Sequence, residues 1–199
     1  DLIDSDYLLW IDQAIPYHTD TLKCGGDISG YADSYYNRIQ TFLKFCEVKY
    51  KCNVIVSLHP RIANEIEYLK VWRGWDFING DTLRYIKNAK LCITHNSTAI
   101  HAVAYFRKPL VVVKDSLLTD NGYDCGTIDS FIQELDCNLI DTKLDNSIID
   151  FNFEVNNSKY DDYVKKYVFN GDSSKAINAE ELYSFINDSQ SFIMSEFYK

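Results

Sequence analysis

The stretch Leu91-Cys-Ile-Thr-His-Asn-Ser-Thr-Ala-Ile-His-Ala-Val-Ala-Tyr-Phe-Arg-Lys-Pro-Leu-Val-Val-Val113 decides the fold. Its first four residues are apolar or β-branched and read as a buried strand. A polar break follows at His95–Thr98, then an alanine- and valine-rich run to about Phe106 with helical spacing. Pro109-Leu-Val-Val-Val113 is a second buried strand, with its proline at the first position, where a missing N–H is tolerated. Buried strands alternating with a helix in this way point to a parallel sheet covered on both faces.

The same alternation extends outward in both directions. Tyr7-Leu-Leu-Trp-Ile11, Asn53-Val-Ile-Val-Ser-Leu58, Trp75-Asp-Phe-Ile78 and Cys137-Asn-Leu-Ile140 read as further strands. Between them lie amphipathic segments. One is capped by Asp33 or Ser34 and carries Tyr36, Ile39, Phe42, Leu43 and Cys46. Others span 63–71 and 127–135, and one is capped by Asp81 with Leu83, Ile86 and Ala89 on its apolar side. Ala14 to Ala32 reads as a long loop, a feature often tied to function. Short apolar strands alternating with helices predict an α/β fold. Its form is a Rossmann-like three-layer αβα sandwich with a parallel sheet of about six strands and right-handed crossovers. The pattern changes after Asp141. Residues 142–157 read as a polar linker or surface loop, and 159–169 and 178–197 as terminal helices, with Tyr160, Tyr163 and Tyr167 forming a packing stripe. The expected organisation is a nucleotide-sugar-binding domain over 1–157 and a C-terminal helical extension over 158–199 packed on it.

Composition narrows the function classes. The chain has 199 residues, enough for one well-buried core. Its formal net charge of −9 and the lack of any basic run argue against a nucleic-acid partner. No apolar run approaches the roughly 20 residues that span a bilayer. Asp1, Asp4 and Asp6 stand where a secretory leader would be basic, and a cytoplasmic location is expected. Residue 1 is not Met, so a preceding segment stays open. The six cysteines, Cys24, Cys46, Cys52, Cys92, Cys125 and Cys137, form no C-x-x-C pair and are expected to be reduced.

In an open α/β sheet the ligand lies at the carboxyl ends of the strands. The residues there are Asp12, Gln13 and His18 after the first strand, His59, Pro60 and Arg61 after the second, and Asp81 after the third. His95, Asn96, Ser97 and Thr98 follow the fourth. At Thr94–Thr98 a strand ends and a helix begins. First-turn N–H groups and the Ser97 and Thr98 hydroxyls can cradle a phosphate there without net positive charge. The pattern equally fits a plain helix cap at Asn96 or Ser97. It also matches a glycosylation sequon, which would matter only in a secreted chain. His59 can donate to a phosphate or a base edge, or simply hold a loop carbonyl. His95 and His101 are too far apart, with too few companions, for a zinc site, and no metal is expected.

The His59-Pro60 dipeptide after a strand, followed by the Ser97-Thr98 pair opening a helix, resembles the nucleotide-binding half of GT-B-fold glycosyltransferases. The likeness is to bacterial surface-polysaccharide enzymes, including the CMP-sialic acid and Kdo transferase types. Trp10-Ile-Asp-Gln-Ala-Ile-Pro-Tyr-His18 is also similar to the first strand and loop of that half in capsule transferases. The resemblance covers about 7–113 and the terminal helices. It implies that His59 contacts the donor nucleotide as the catalytic-site residue, with Pro60 and Arg61 beside it. His95, Asn96, Ser97 and Thr98 would hold the phosphate, Asp81 or Asp76 the ribose, and Asp12, Gln13 and His18 would form a substrate loop. The donor would be a CMP- or UDP-linked sugar with no further cofactor. The expected partners are that nucleotide-sugar, a saccharide acceptor and a missing N-terminal domain carrying the catalytic base, with the inner membrane face a compatible place of work. A sugar-nucleotide 2-epimerase and a non-catalytic binding domain remain the alternatives.

Overall fold

A computed structural model describes residues 6–17, 29–120, 127–143 and 149–168. Six parallel strands form one sheet: β1 (Tyr7–Ile11), β2 (Asn53–Ser57), β3 (Asp76–Ile78), β4 (Leu91–Thr94), β5 (Leu110–Lys114) and β6 (Asn138–Asp141). Their spatial order is β3-β2-β1-β4-β5-β6, and every pairing is parallel. The order reverses between β1 and β4, the topological switch point of a Rossmann-like sheet. The α/β three-layer architecture read from the sequence is therefore the one observed.

The strands explain themselves by alternation. Leu8 and Trp10 of β1 enter one core together with Val54, Val56, Leu91, Ile93, Val111 and Val113. Tyr7, Leu9 and Ile11 enter the other with Cys92, Leu110 and Val112. Both faces are covered, so all five β1 residues are buried. The first face carries α1 (Ala32–Tyr50) and α2 (Ile66–Val71). The second carries α3 (Thr82–Asn88), α4 (Ile100–Tyr105), α6 (Thr127–Leu135) and α7 (Asn157–Tyr167). A short α5 (Ser116–Asp120) follows β5, which sequence periodicity did not reveal. In α7, Tyr160 and Tyr163 are buried in the second core, and their hydroxyls meet Lys108 O and His101 Nδ1, both at 3.1 Å. The expected helix over 178–197 lies outside the described residues.

Three helix starts differ from expectation. Neither Asp33 nor Ser34 caps α1. The helix begins at Ala32 behind Tyr31, and the Ser34 hydroxyl donates back to Tyr31 O. Asp81 holds the N-cap position of α3 but adopts a left-handed conformation (φ 57) and makes no side-chain capping bond. The helix α4 begins at Ile100, three residues or more beyond the expected cap, because residues 95–99 first form a separate turn.

Residues 149–156, expected to be surface linker, run against the amino edge of the sheet. Ile149 and Phe151 are buried, and Phe151 stacks on Tyr50 at 5.3 Å. Asn138, at the start of β6, exchanges two hydrogen bonds with the Asn152 backbone, at 3.0 and 3.1 Å. A composition rich in Asn and Asp hid the alternation of Ile149, Phe151 and Phe153. Four described cysteines, Cys46, Cys52, Cys92 and Cys137, are free thiols. No helix among the described residues is long and apolar enough to cross a membrane.

The carboxyl ends of β5 and β6 are closed by charge. Asp115 is buried and accepts from Arg38 Nε and Nη2 at 2.7–2.9 Å, from the Thr142 hydroxyl at 2.8 Å and from Leu118 N at 3.1 Å. Arg38→Ala leaves that carboxylate buried without its cation, and the chain should lose roughly 3 kcal/mol in urea melts. Arg38→Lys should recover only part, since an ammonium cannot form the planar fork. Equal stability of Arg38→Ala and the wild type would show that the pair contributes nothing.

Candidate functional site

With the β5–β6 end sealed, the carboxyl ends of β2, β1 and β4 remain. Register fixes their geometry: Ile11 pairs with Ser57 on one side and with Thr94 on the other. His59 and Asn96 each lie two residues past those partners, flanking Gln13. Parallel strands stand about 4.8 Å apart, so the two motif loops sit roughly 10 Å from each other across the end of β1. The expectation placed them on adjacent strands; they flank a common neighbour instead.

The end of β1 holds both loops. Asp12 is buried. Its carboxylate accepts from Tyr68 Oη at 2.7 Å, Trp72 Nε1 at 3.1 Å, Tyr36 Oη at 3.4 Å and Ala14 N at 3.1 Å. Ala14 adopts a left-handed conformation (φ 51), and the bond from its N–H to Asp12 fixes that turn. The Tyr68 hydroxyl also accepts from the backbone N–H of His59 at 3.0 Å. On the other side, Gln13 Oε1 accepts from Asn96 N at 2.8 Å. Asp12 therefore does not face the cleft as a substrate-loop residue; it is used up inside. His18 lies outside the described residues.

His95 is also internal. It is 1% exposed, and its ring meets Trp10 edge-on at 5.2 Å. Nδ1 is 2.6 Å from Val113 O, which can only accept, so Nδ1 carries the proton and Nε2 accepts from the Tyr35 hydroxyl at 2.7 Å. A ring so engaged cannot reach a ligand, and the expected phosphate role for its side chain does not fit its position. The reason is alternation: His95 still follows the inward direction of β4.

Asn96, Ser97 and Thr98 are half-buried at the loop surface. Ser97 Oγ accepts from Ala99 N at 3.2 Å, and the carbonyls of Ser97 and Thr98 accept from Ile100 and His101. Among the described residues no hydrogen bond uses the N–H of Ser97 or Thr98. These two donors, with two hydroxyl protons, are the anion-binding groups this loop offers. Because α4 is only six residues long and starts later, the turn supplies them rather than a long helix dipole. His59 is half-buried, and Pro60 and Arg61 are exposed beside it. Asp81 reaches solvent at the end of β3, 3.9 Å from Arg84. The neighbouring Thr82 hydroxyl lies 2.8 Å from that of Ser57, which docks this turn beside the His59 turn. Asp76 lies exposed on β3 itself. No group of three or more His, Cys, Asp or Glu among the described residues is placed to hold a metal ion. Tyr68, Trp72 and Tyr35 escaped the sequence reading, since aromatic residues at helical spacing look like ordinary core.

Burial raises the Asp12 carboxyl from 3.8 to about 6 despite its four donors. Burial likewise lowers His95 and His101 from 6.5 to about 4.

No protein-family model matches the chain, and no curated protein matches it. Among solved structures the chain is similar to the UDP-GlcNAc 2-epimerase of Methanocaldococcus jannaschii in complex with UDP-GlcNAc and UDP. The identity is 15% and the TM-score 0.41, over 82% of this chain and 45% of that one. The chain thus spans less than half of that enzyme's chain. The fold assignment rests on the sheet itself.

The titrating groups oppose one another. The stability that neutral His95 and His101 contribute is present above about 6.5 and is lost as pH falls toward 4. Asp12 has its folded value raised, so its contribution is present below 3.8 and is lost as pH rises through about 6. Two histidines outweigh one carboxyl, so urea melts should show stability falling from pH 6.5 to 4. Asp12→Asn should steepen that fall while lowering stability at pH 7, because one amide oxygen cannot serve four donors. A slope unchanged by Asp12→Asn would show that Asp12 titrates normally.

Proposed function

We propose that this chain is the donor-binding half of a GT-B-type glycosyltransferase acting in bacterial capsule, lipopolysaccharide or other surface-polysaccharide assembly. One observation carries the reading: the His59-Pro60 turn and the Asn96–Thr98 loop stand on either side of the β1 end, at the switch point of the sheet. A nucleoside mono- or diphosphate sugar lies across such a crevice in folds of this kind. In this reading the Ser97 and Thr98 hydroxyls and N–H groups bind the phosphate nearest the sugar. His59 positions the nucleotide or protonates that phosphate as it leaves, and Arg61 and the Asp81 carboxylate face the ribose and base.

The chemistry asked of these groups is modest. When the glycosidic bond to phosphate breaks, negative charge grows on the phosphate oxygens. Donors already aimed at those oxygens stabilise the transition state more than the ground state. The acceptor hydroxyl needs a base, which this reading places in a second, N-terminal domain across the cleft. The donor itself, CMP- or UDP-linked, is the only small molecule required, and the acceptor is a saccharide met at the inner membrane face.

The test is a thermal-shift screen of CMP, UDP, GDP and their sugars, followed by calorimetric titration. A cognate ligand at 100 times its Kd should stabilise the chain by about 2.7 kcal/mol. Hydrogen bonds to charged groups are worth roughly 1.5–3 kcal/mol each, so Ser97→Ala/Thr98→Ala should weaken binding at least tenfold. The fold should lose only about 1 kcal/mol of turn and cap stabilisation. Unchanged affinity in the folded double variant removes the phosphate assignment. Interconversion of a UDP-sugar at C2 without an acceptor would favour the epimerase alternative.

A further inference from the structure

Asp12 and Gln13 are consecutive residues at the end of the central strand, and each one reaches a different motif loop. Asp12 holds Tyr68, whose hydroxyl takes the His59 N–H; Gln13 takes the Asn96 N–H directly. The geometry points to a pair of positioning residues: Asp12, acting through Tyr68, and Gln13 together set the spacing and orientation of the two loops that grip the nucleotide. The inference rests on the nucleotide-binding reading above and assigns to these residues a role other than substrate contact.

The physical case has three parts. The His59 turn leaves its strand with Leu58 N–H on Ile78 O at 2.9 Å, so β3 holds it from one side. The Tyr68 hydroxyl grips the next amide from within. Tyr68 is itself fully buried and held by a carboxylate whose other donors, Trp72 and Tyr36, come from the end of α2 and from α1. The tyrosine cannot swing away without leaving Asp12 short of a donor, a costly state for a buried charge. Across the strand, the amide that Gln13 captures is the one just ahead of the Ser97 and Thr98 N–H groups, which no described residue accepts from. Fixing it fixes the direction in which those two point. Successive residues of a strand point to opposite faces, so one dipeptide reaches in two directions. The His59 turn and the 96–98 loop are thus both referenced to β1.

The test uses Tyr68→Phe and Gln13→Ala in the full chain, with two independent readouts. The first is amide hydrogen exchange resolved by NMR. Tyr68→Phe should speed exchange at His59 by about tenfold or more while leaving Asn96 unchanged, and Gln13→Ala should do the converse. The second is calorimetric titration with UDP, CMP and GDP. Each variant should weaken the nucleotide that the wild type binds by roughly three- to tenfold, the size of one ordinary hydrogen bond. Gln13→Glu, which keeps an acceptor oxygen, should restore slow exchange at Asn96. Tyr68→Phe added to His59→Ala should cost no further affinity, because it acts through His59, whereas a general loss of stability would add in full. Unchanged exchange at both amides overturns the proposal whatever the chain binds. Altered exchange with full affinity overturns the positioning role and leaves the nucleotide reading standing. A wild type that binds none of the three nucleotides overturns the reading itself, and the positioning role with it.

Discussion

The Asp12 carboxylate and its four donors are the constraint on which this end of the molecule depends. A charge removed from water inside a protein costs several kcal/mol unless its lone pairs are filled. Here they are filled by a backbone N–H, two phenols and an indole. Those aromatic groups belong to α1, α2 and the residue that ends α2, so satisfying one carboxylate fixes how both elements sit on the sheet. The ring geometry follows: Tyr36 meets Trp72 edge-on at 5.5 Å, and Tyr17 stacks on Tyr36 at 5.8 Å. Amphipathic aromatics suit this task because a large apolar body fills the core while one polar atom reaches inward.

The remaining sheet ends are disposed of in different ways. At the amino edge the 149–156 segment packs Ile149 and Phe151 into the core and pins itself to Asn138. Lys49 adds bonds to Ile149 O and Asp150 from α1. At the carboxyl edge, β5 and β6 are closed by Arg38 with Asp115 and by Ser116 with Asp141. Asp115 and Asp141 are thereby engaged internally. The ends of β2, β1 and β4 carry the 59–61 and 96–98 segments. There, among the described residues, no acceptor takes the N–H groups of Ser97 and Thr98.

Two histidines, His95 buried and His101 half-buried, illustrate how desolvation decides chemistry. His95 sits between a phenol and a carbonyl, which fixes one tautomer and holds it neutral. His101 packs on Tyr163 of α7. Neither is disposed to meet a ligand. His59, at a turn and half-buried, is the described histidine in a loop at the carboxyl edge of the sheet.

The sequence by itself determined the six strands, their parallel sense and the set of loops at the carboxyl edge of the sheet. Those follow from local patterns: β-branched runs, apolar spacing and the need for crossovers. It also marked the 59–61 and 96–98 segments, because both directly follow buried strands. Only the tertiary structure decided which polar residues face outward. Asp12 and His95 carry the same chemistry as Asp81 and His59 in one dimension. Their difference arises from partners distant in sequence: Tyr68 and Trp72 for one, Tyr35 and Val113 for the other. The late start of α4 and the inward turn of 149–153 were likewise settled by packing, since propensity is weak beside burial of a few large side chains. A hydrogen bond between residues dozens of positions apart leaves no periodic trace, so the chain alone could locate the site's edge but not the groups that hold it in shape.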